Sequence, residues 1–285
     1  MKLLKTIAII VTVMGISQSL SAQNFYLKAR GGYGWGVSKD GYYVDLGQGK
    51  VTADGYQEQI YTSIGAGIPV GISAGYYLND NIGAEVDFTY LFGNTVTVAD
   101  YGVPNSAGQQ PKIDVYTRQY RVSPTIIMST GHSKKFSVYT KVGFVLPVGG
   151  YSMVNANITQ FMPNPSDPTQ LVPVADLKVE QKMYGKFSLG FKGVLGMEYK
   201  LNDKLSVFTE IEGVYLNIKR KKSKVTKYEV NGNDALSTYP GPIEVTYKDK
   251  IQVDQNGNPV NANEALSTTS PYSKQGINLG FTYYF

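Results

Sequence analysis

The sequence has no cysteine, a single histidine and a single tryptophan. Without thiols, a disulfide framework and a thiolate metal site are excluded. His132 stands beside Lys134 and Lys135 in a polar stretch, so no Ser-His-Asp triad and no histidine-based metal centre is expected. No catalytic residue, metal or cofactor is therefore assigned. Beyond residue 22 no apolar run approaches the roughly 18 residues that a spanning helix needs, which excludes a helical membrane protein. Charge is also scarce: the formal net value is +5, too mild to point to nucleic acid. The glycines of Gly32–Gly36 and Gly65–Gly67 are followed by no strand-to-helix unit, so they are not read as phosphate loops. They are expected inside a tight barrel, covered by aromatics from neighbouring strands.

What is present is different in kind. Glycine (31) and tyrosine (23) are abundant among the 285 residues, a bias toward strands and interfaces and away from helix. The first 22 residues differ from the rest. Lys2 and Lys5 precede the apolar run Ile7–Met14, and Ser19, Ser21 and Ala22 supply small residues before Gln23. This is the layout of a secretory signal peptide, expected over 1–22. Its removal takes away two lysines and lowers the charge from +5 to +3.

From residue 23 on, the chain alternates. Between Ile60 and Leu78 the even positions are Ile60, Thr62, Ile64, Ala66, Ile68, Val70, Ile72, Ala74, Tyr76 and Leu78, with Ser, Gly, Pro or Tyr between them. Period two of this length predicts a strand with one greasy face. After a turn at Asn79–Asn81, Ile82, Ala84, Val86, Phe88, Tyr90 and Phe92 share a face opposite Gly83, Glu85, Asp87 and Thr89. Similar segments start near Phe25, Tyr120, Phe136, Phe187, Leu205 and Ile277, which makes eight strands. Their connections alternate. Those near 79–81, 131–135 and 202–204 are short; those near 38–59, 98–116, 152–185 and 219–273 are long. Placing every long connection at one end is the mark of a transmembrane barrel with short periplasmic turns and long extracellular loops. The sequence is therefore read as all-β, a closed antiparallel transmembrane barrel of eight strands over 23–285. A ten-strand variant, with Val225–Val230 and Ile243–Val253 also crossing, would crowd Lys227, Glu229, Lys248, Asp249 and Lys250 into the hydrocarbon zone, at up to ~2–4 kcal/mol per lipid-facing basic residue. That region is expected to form a hairpin above the membrane. Eight strands leave interior space only for side chains, so the bulky apolar face is assigned outward.

The closing segment Leu279–Phe285 (LGFTYYF) resembles the C-terminal assembly signal of outer-membrane barrels, carried by Phe281, Tyr283 and Phe285. With the pattern of strands over 23–285, the chain resembles the small eight-stranded outer-membrane family that includes the OmpA membrane domain and OmpX. The resemblance implies the bacterial outer membrane as location, and outer-membrane lipid including lipopolysaccharide and the barrel-assembly machinery as partners. No peptidoglycan-binding domain is expected, since the sequence stops at Phe285, and no wall-anchoring role is implied.

Two groups of residues are candidates for function. The inward face would carry Lys28, Arg30, Glu85, Asp87, Arg121, Lys141, Lys192, Glu198, Glu210 and Glu212. Arg30, Asp87, Lys141, Lys192, Glu210 and Glu212 fall near mid-height. These charges form either an ion path or a network that plugs the barrel. Physics favours the plug, because an unpaired buried charge costs several kcal/mol. Lys192 is expected to pair with Glu210 or Glu212. The second group is the basic cluster Lys219, Arg220, Lys221, Lys222, Lys224 and Lys227, which either binds lipid phosphates or an acidic partner or forms a solvated edge. Asp254–Asn258 has the start of a calcium loop but a misplaced glycine and no closing Glu, so it is read as a hairpin turn. The expected function is a non-enzymatic one, structural or surface-binding through the long loops, in a monomer. The alternative is a narrow passive channel.

Overall fold

The computed structural model describes residues 24–37, 49–51, 56–58, 63–255 and 257–285. The predicted signal peptide lies outside them, as do Ile60, Thr62 and Asn256. The described residues contain no α-helix. Seventeen strands are hydrogen-bonded into one sheet. Eight of them carry the alternating segments: β1 (Phe25–Gly36), β2 (Gly67–Tyr77), β3 (Ile82–Gly93), β4 (Gln109–Ser129), β5 (Phe136–Asn164), β6 (Gly190–Lys200), β7 (Leu205–Tyr215) and β8 (Lys274–Tyr284). Each pairs antiparallel with its successor, and β8 pairs with β1 from Lys274↔Gly36 to Tyr284↔Tyr26.

Alternation decides which side chain goes where. On β2, Ile68, Val70 and Ile72 are exposed outward while Pro69, Gly71 and Ser73 are buried inward. On β6, Phe191, Leu195 and Met197 face out, and Lys192, Val194 and Glu198 face in. A one-residue slip would exchange the two faces on every strand, so the register is strongly specified. The outward belt leaves Phe88, Phe144, Phe191, Leu279 and Phe281 uncovered by protein. In water such a continuous apolar surface is a liability. In a bilayer it is the face that lipid covers.

The short turns are built by asparagine. The Asn79 Oδ1 accepts from the amides of Asn81 and Ile82, and the Asn202 Oδ1 from those of Lys204 and Leu205, each at 2.9 Å. Each is an Asx turn, in which a side chain replaces a missing backbone acceptor. In the third turn Asp80 accepts from the Ser133 amide at 3.0 Å and faces the His132 Nδ1 at 3.1 Å. The bonds from Ser133 hold the Asp80 carboxyl below its ordinary value. His132 also stacks on Tyr77 at 4.3 Å, over a buried cluster of Tyr26, Tyr77, Ile127, Tyr139 and Tyr284 that fills this end of the interior.

Several expectations are corrected at the other end. The connections near 98–116 and 152–185 are largely strand. β4 has 21 residues and β5 has 29, against the roughly 9–11 that cross a bilayer. Beside them, Val96–Tyr101 pairs with β4, and Asp167–Gly185 pairs with both β5 and Asn217–Val230. Glu244–Lys248 adds to the far edge of Asn217–Val230. Together they enclose an apolar cluster that includes Val98, Ile113, Val115, Val154, Leu216 and Ile218. Ile64, read as outward-facing on a strand, belongs to this cluster and precedes β2. The reason is local. Gly67 has φ +141°, and a Cβ there would meet the Phe92 carbonyl, so the chain turns before the strand begins.

The interior glycines also differ from expectation. Gly32 and Gly34 are covered by Asn278 and Lys274, not by aromatics. The aromatics lie instead over Gly75 (Tyr26), Gly196 (Tyr139) and Gly280 (Phe208). Asp254 and Asn258 close a tight turn around Gly257, whose φ is +81°.

Candidate functional site: the charged interior

All ten predicted inward charges are buried, at 7% exposure or less. β3 supplies Glu85 and Asp87, and β7 supplies Glu210 and Glu212. In each pair the residues are two apart on one strand, so both reach the same side. The cations come from β1 (Lys28, Arg30), β5 (Lys141) and β6 (Lys192) and meet the acids across the interior. Arg30 contacts Asp87 at 2.6 Å and Glu212 at 3.2 Å. Lys192 lies 2.9 Å from both Asp87 and Glu212. Lys141 bridges Glu85 at 2.7 Å and Glu210 at 2.6 Å. Lys28 is more loosely held, 3.7 Å from Glu85 and 3.8 Å from Glu198, and its ammonium sits 4.4 Å from the Tyr139 ring centre.

Of the two carboxylates expected for Lys192, the structure selects Glu212, while Glu210 goes to Lys141. Counting heights along a strand places charges vertically but not around the circumference. Side chains that cross a narrow interior choose partners by that second coordinate.

Three tyrosines complete the coordination. Tyr26, Tyr139 and Tyr284 donate to Glu85 (2.9 Å), Glu210 (2.8 Å) and Glu198 (2.8 Å). Each carboxylate thereby gains a neutral donor besides its cations, which lowers the cost of removing it from water. Sequence reasoning missed these phenols and also Lys274, 2.7 Å from Glu212. Lys274 was legible in principle: Lys274, Gly276, Asn278, Gly280 and Thr282 continue one parity on β8. Arg121 stands apart. It is bonded to Gln119 at 2.6 Å but has no carboxylate within 4.0 Å among the described residues.

The basic cluster is split by the fold. It lies on the strand Asn217–Val230, with Arg220 and Ser223 buried and Lys219, Lys221 and Lys224 exposed. Lys222 and Lys224 contact Glu244 at 2.5 and 3.3 Å, Lys219 contacts Asp249 at 3.7 Å, and Lys227 contacts Glu229 at 2.8 Å. The hydrogen bonds from Lys222 and Lys224 hold the Glu244 carboxyl below its ordinary range. These pairs are solvent-exposed and individually weak. They nevertheless neutralise much of the patch. Phe281 and Tyr283 face outward on β8, and Phe285 packs 5.2 Å from Phe25, centre to centre.

Among the described residues no cluster of His, Asp and Glu has the arrangement to hold a metal. A comparison with curated proteins finds no match. Solved structures similar to the chain include Neisserial surface protein A, at 13% identity and TM-score 0.38, covering 92% of this chain and 97% of that one. They also include OprG from Pseudomonas aeruginosa, at 14% identity and TM-score 0.43, covering 92% and 96%. Ail, the attachment invasion locus protein of Yersinia pestis, matches at 11% identity and TM-score 0.31, covering 92% and 99%. The outer membrane protein beta-barrel domain family matches residues 7–285, nearly the whole chain. The chain thus belongs to that family and is a protein of the bacterial outer membrane.

Proposed function

We propose that β1–β8 form a closed eight-stranded barrel whose interior is plugged by ion pairs. In this reading the protein acts without catalysis, as a rigid membrane platform for the β-layer that it holds above the surface. The observation that carries this reading is the cross-interior network. Lys141, Lys192 and Arg30 each bridge a carboxylate of β3 and one of β7, so the groups that would solvate a passing ion are already paired with one another. The first-to-last pairing of β1 with β8 supports closure. The excess length of β4 and β5 supports a projecting surface, with its own apolar core, that contacts partners outside the cell. Residues 1–22 serve as the export signal, the barrel-assembly machinery reads Phe281, Tyr283 and Phe285, and lipid including lipopolysaccharide surrounds a monomer. A surface ligand would bind through the projecting layer.

Whole-cell proteolysis tests the orientation. Trypsin added to intact cells is expected to cut within Lys219–Lys250 and to spare Lys134, Lys135 and Lys204 in the short turns. Cleavage at Lys204 with the cells intact would place the β-layer inside and overturn the surface role.

A further inference from the structure

The wall of β-strands has a gap in its pairing. β5 pairs with β6 up to Val145↔Gly190, and with Asp167–Gly185 only from Ser152↔Met183 onward. Between these points Leu146–Tyr151 is paired on one side alone, with β4. The causes are in the sequence. Gly150 has φ +123°, and the register with β4 slips between Tyr120 and Arg121, opposite Gly149 and Pro147. On the far side of the gap, the Lys186 amide turns away to the Lys219 carbonyl at 2.8 Å. A cleft of about 390 Å³ occupies the gap and reaches from Phe187 and Val148 at the outside to Gln119 and Tyr272 within. That volume is within the range of small-molecule sites.

Next to Gln119 and Pro147 of the cleft lining lies Arg121, a buried cation with no carboxylate within 4.0 Å among the described residues. Lys28, Arg30, Lys141, Lys192 and Lys274 each have a carboxylate within 4.0 Å. Arg121 is 3% exposed and lies directly across from Pro147 in the strand register. Its Nε donates to the Gln119 Oε1 at 2.6 Å, and its Nη2 has no hydrogen-bond partner. A buried guanidinium with a free edge is a demand for an anion, and its planar fork suits a carboxylate. The outer rim presents exposed apolar side chains, Phe187 at 77% and Val148 at 57%, beside Lys186, whose ammonium is held by Asp249 at 3.1 Å. A lipid-exposed gap in strand pairing leaves backbone groups unsatisfied in hydrocarbon, so this one belongs at the level of the polar headgroups.

We propose that this cleft binds a single-chain anionic amphiphile from the outer leaflet. Its carboxylate enters toward Gln119 and Arg121, and its alkyl tail lies along Val148, Phe187 and the Phe144–Phe191 pair. The proposal rests on the outward orientation of the β5 and β6 ends, which proteolysis tests separately. The experiment is equilibrium dialysis of radiolabelled dodecanoate against the full chain in zwitterionic lipid nanodiscs, with empty nanodiscs subtracted. One saturable site per protein is expected, with dodecanol and acetate each competing poorly. Arg121→Gln should weaken dodecanoate at least ~10-fold, the scale of a charge-assisted hydrogen bond. Gly149→Phe, which leaves Arg121 in place and fills the mouth of the cleft, should do the same. Dodecanoate binding unchanged in Arg121→Gln would overturn the proposal. So would acetate competing as well as dodecanoate, which makes the site one for free anions. So would dodecanol competing as well, which makes it an apolar groove. The two competition arms need only the parent protein.

Discussion

Replacing Lys141 with Met is expected to cost ~3–5 kcal/mol, the scale for breaking a fully buried ion pair. Methionine keeps most of the lysine stem, so the loss is electrostatic rather than a cavity. Lys141 is the only cation within 4.0 Å of Glu210 among the described residues, and the other cation near Glu85, Lys28, is 3.7 Å away. Without Lys141, Glu210 keeps only the phenol of Tyr139. Lys192→Met removes as many contacts but strands nothing. Asp87 keeps Arg30, and Glu212 keeps Arg30 and Lys274. Its cost should be smaller, ~1–2 kcal/mol, comparable with losing charged hydrogen bonds. Urea unfolding in detergent micelles reads both. A Lys192→Met variant less stable than Lys141→Met would contradict the pairing described here. Adding Glu210→Gln to Lys141→Met should recover part of the loss, because the stranded charge is then gone.

The second large effect is steric. Gly196→Val is expected to cost ~2–4 kcal/mol, from overpacking and from loss of a buried hydrogen bond. A Cβ at Gly196 would overlap the Tyr139 ring, whose hydroxyl holds Glu210 at 2.8 Å. Gly193→Val on the same strand is the control. Gly193 faces outward with open space around its Cβ direction, and valine suits a strand facing lipid. It should change stability by less than ~0.5 kcal/mol. Equal costs at the two positions would mean that the faces of β6 are not as described.

These expectations show which parts of the fold were legible in the sequence. Alternation over Gly67–Tyr77, Ile82–Gly93 and Gly190–Lys200 is uninterrupted, and each of those strands was placed with its faces correct. Of Asn217–Val230 only Val225–Val230 was read as strand, one arm of a hairpin with Ile243–Val253; the pairing with Glu244–Lys248 is found, but the strand's full length was not recognised. Its register slips twice, between Arg220 and Lys222 and between Val225 and Lys227. Each slip inserts a residue and resets the parity, so the buried set runs Ile218 and Arg220, then Ser223 and Val225, then Tyr228, and no single period of two spans the strand. The interior charges were legible as a set, because an i, i+2 spacing fixes a face. Their partners were not. Glu85 and Lys141 are 56 residues apart, and Arg30 and Glu212 are 182 apart. Only the three-dimensional path around the barrel brings them together. The unpaired edge at Leu146–Tyr151 is marked in the sequence only by Pro147, Gly149 and Gly150, which do not by themselves show where a neighbouring strand ends.

The central claim is that the interior is closed by paired charges rather than open for transport. Planar-bilayer recording of the purified full-length protein tests it most directly. Arg30, Lys141 and Lys192 span the interior between β3 and β7 at 2.6–3.2 Å, and the tyrosine cluster fills the end beneath them. The account predicts no steady conductance from the parent protein, and transient conductance from Lys141→Met, where one cross-strut is missing. A large, steady conductance from the parent would contradict it and establish a channel.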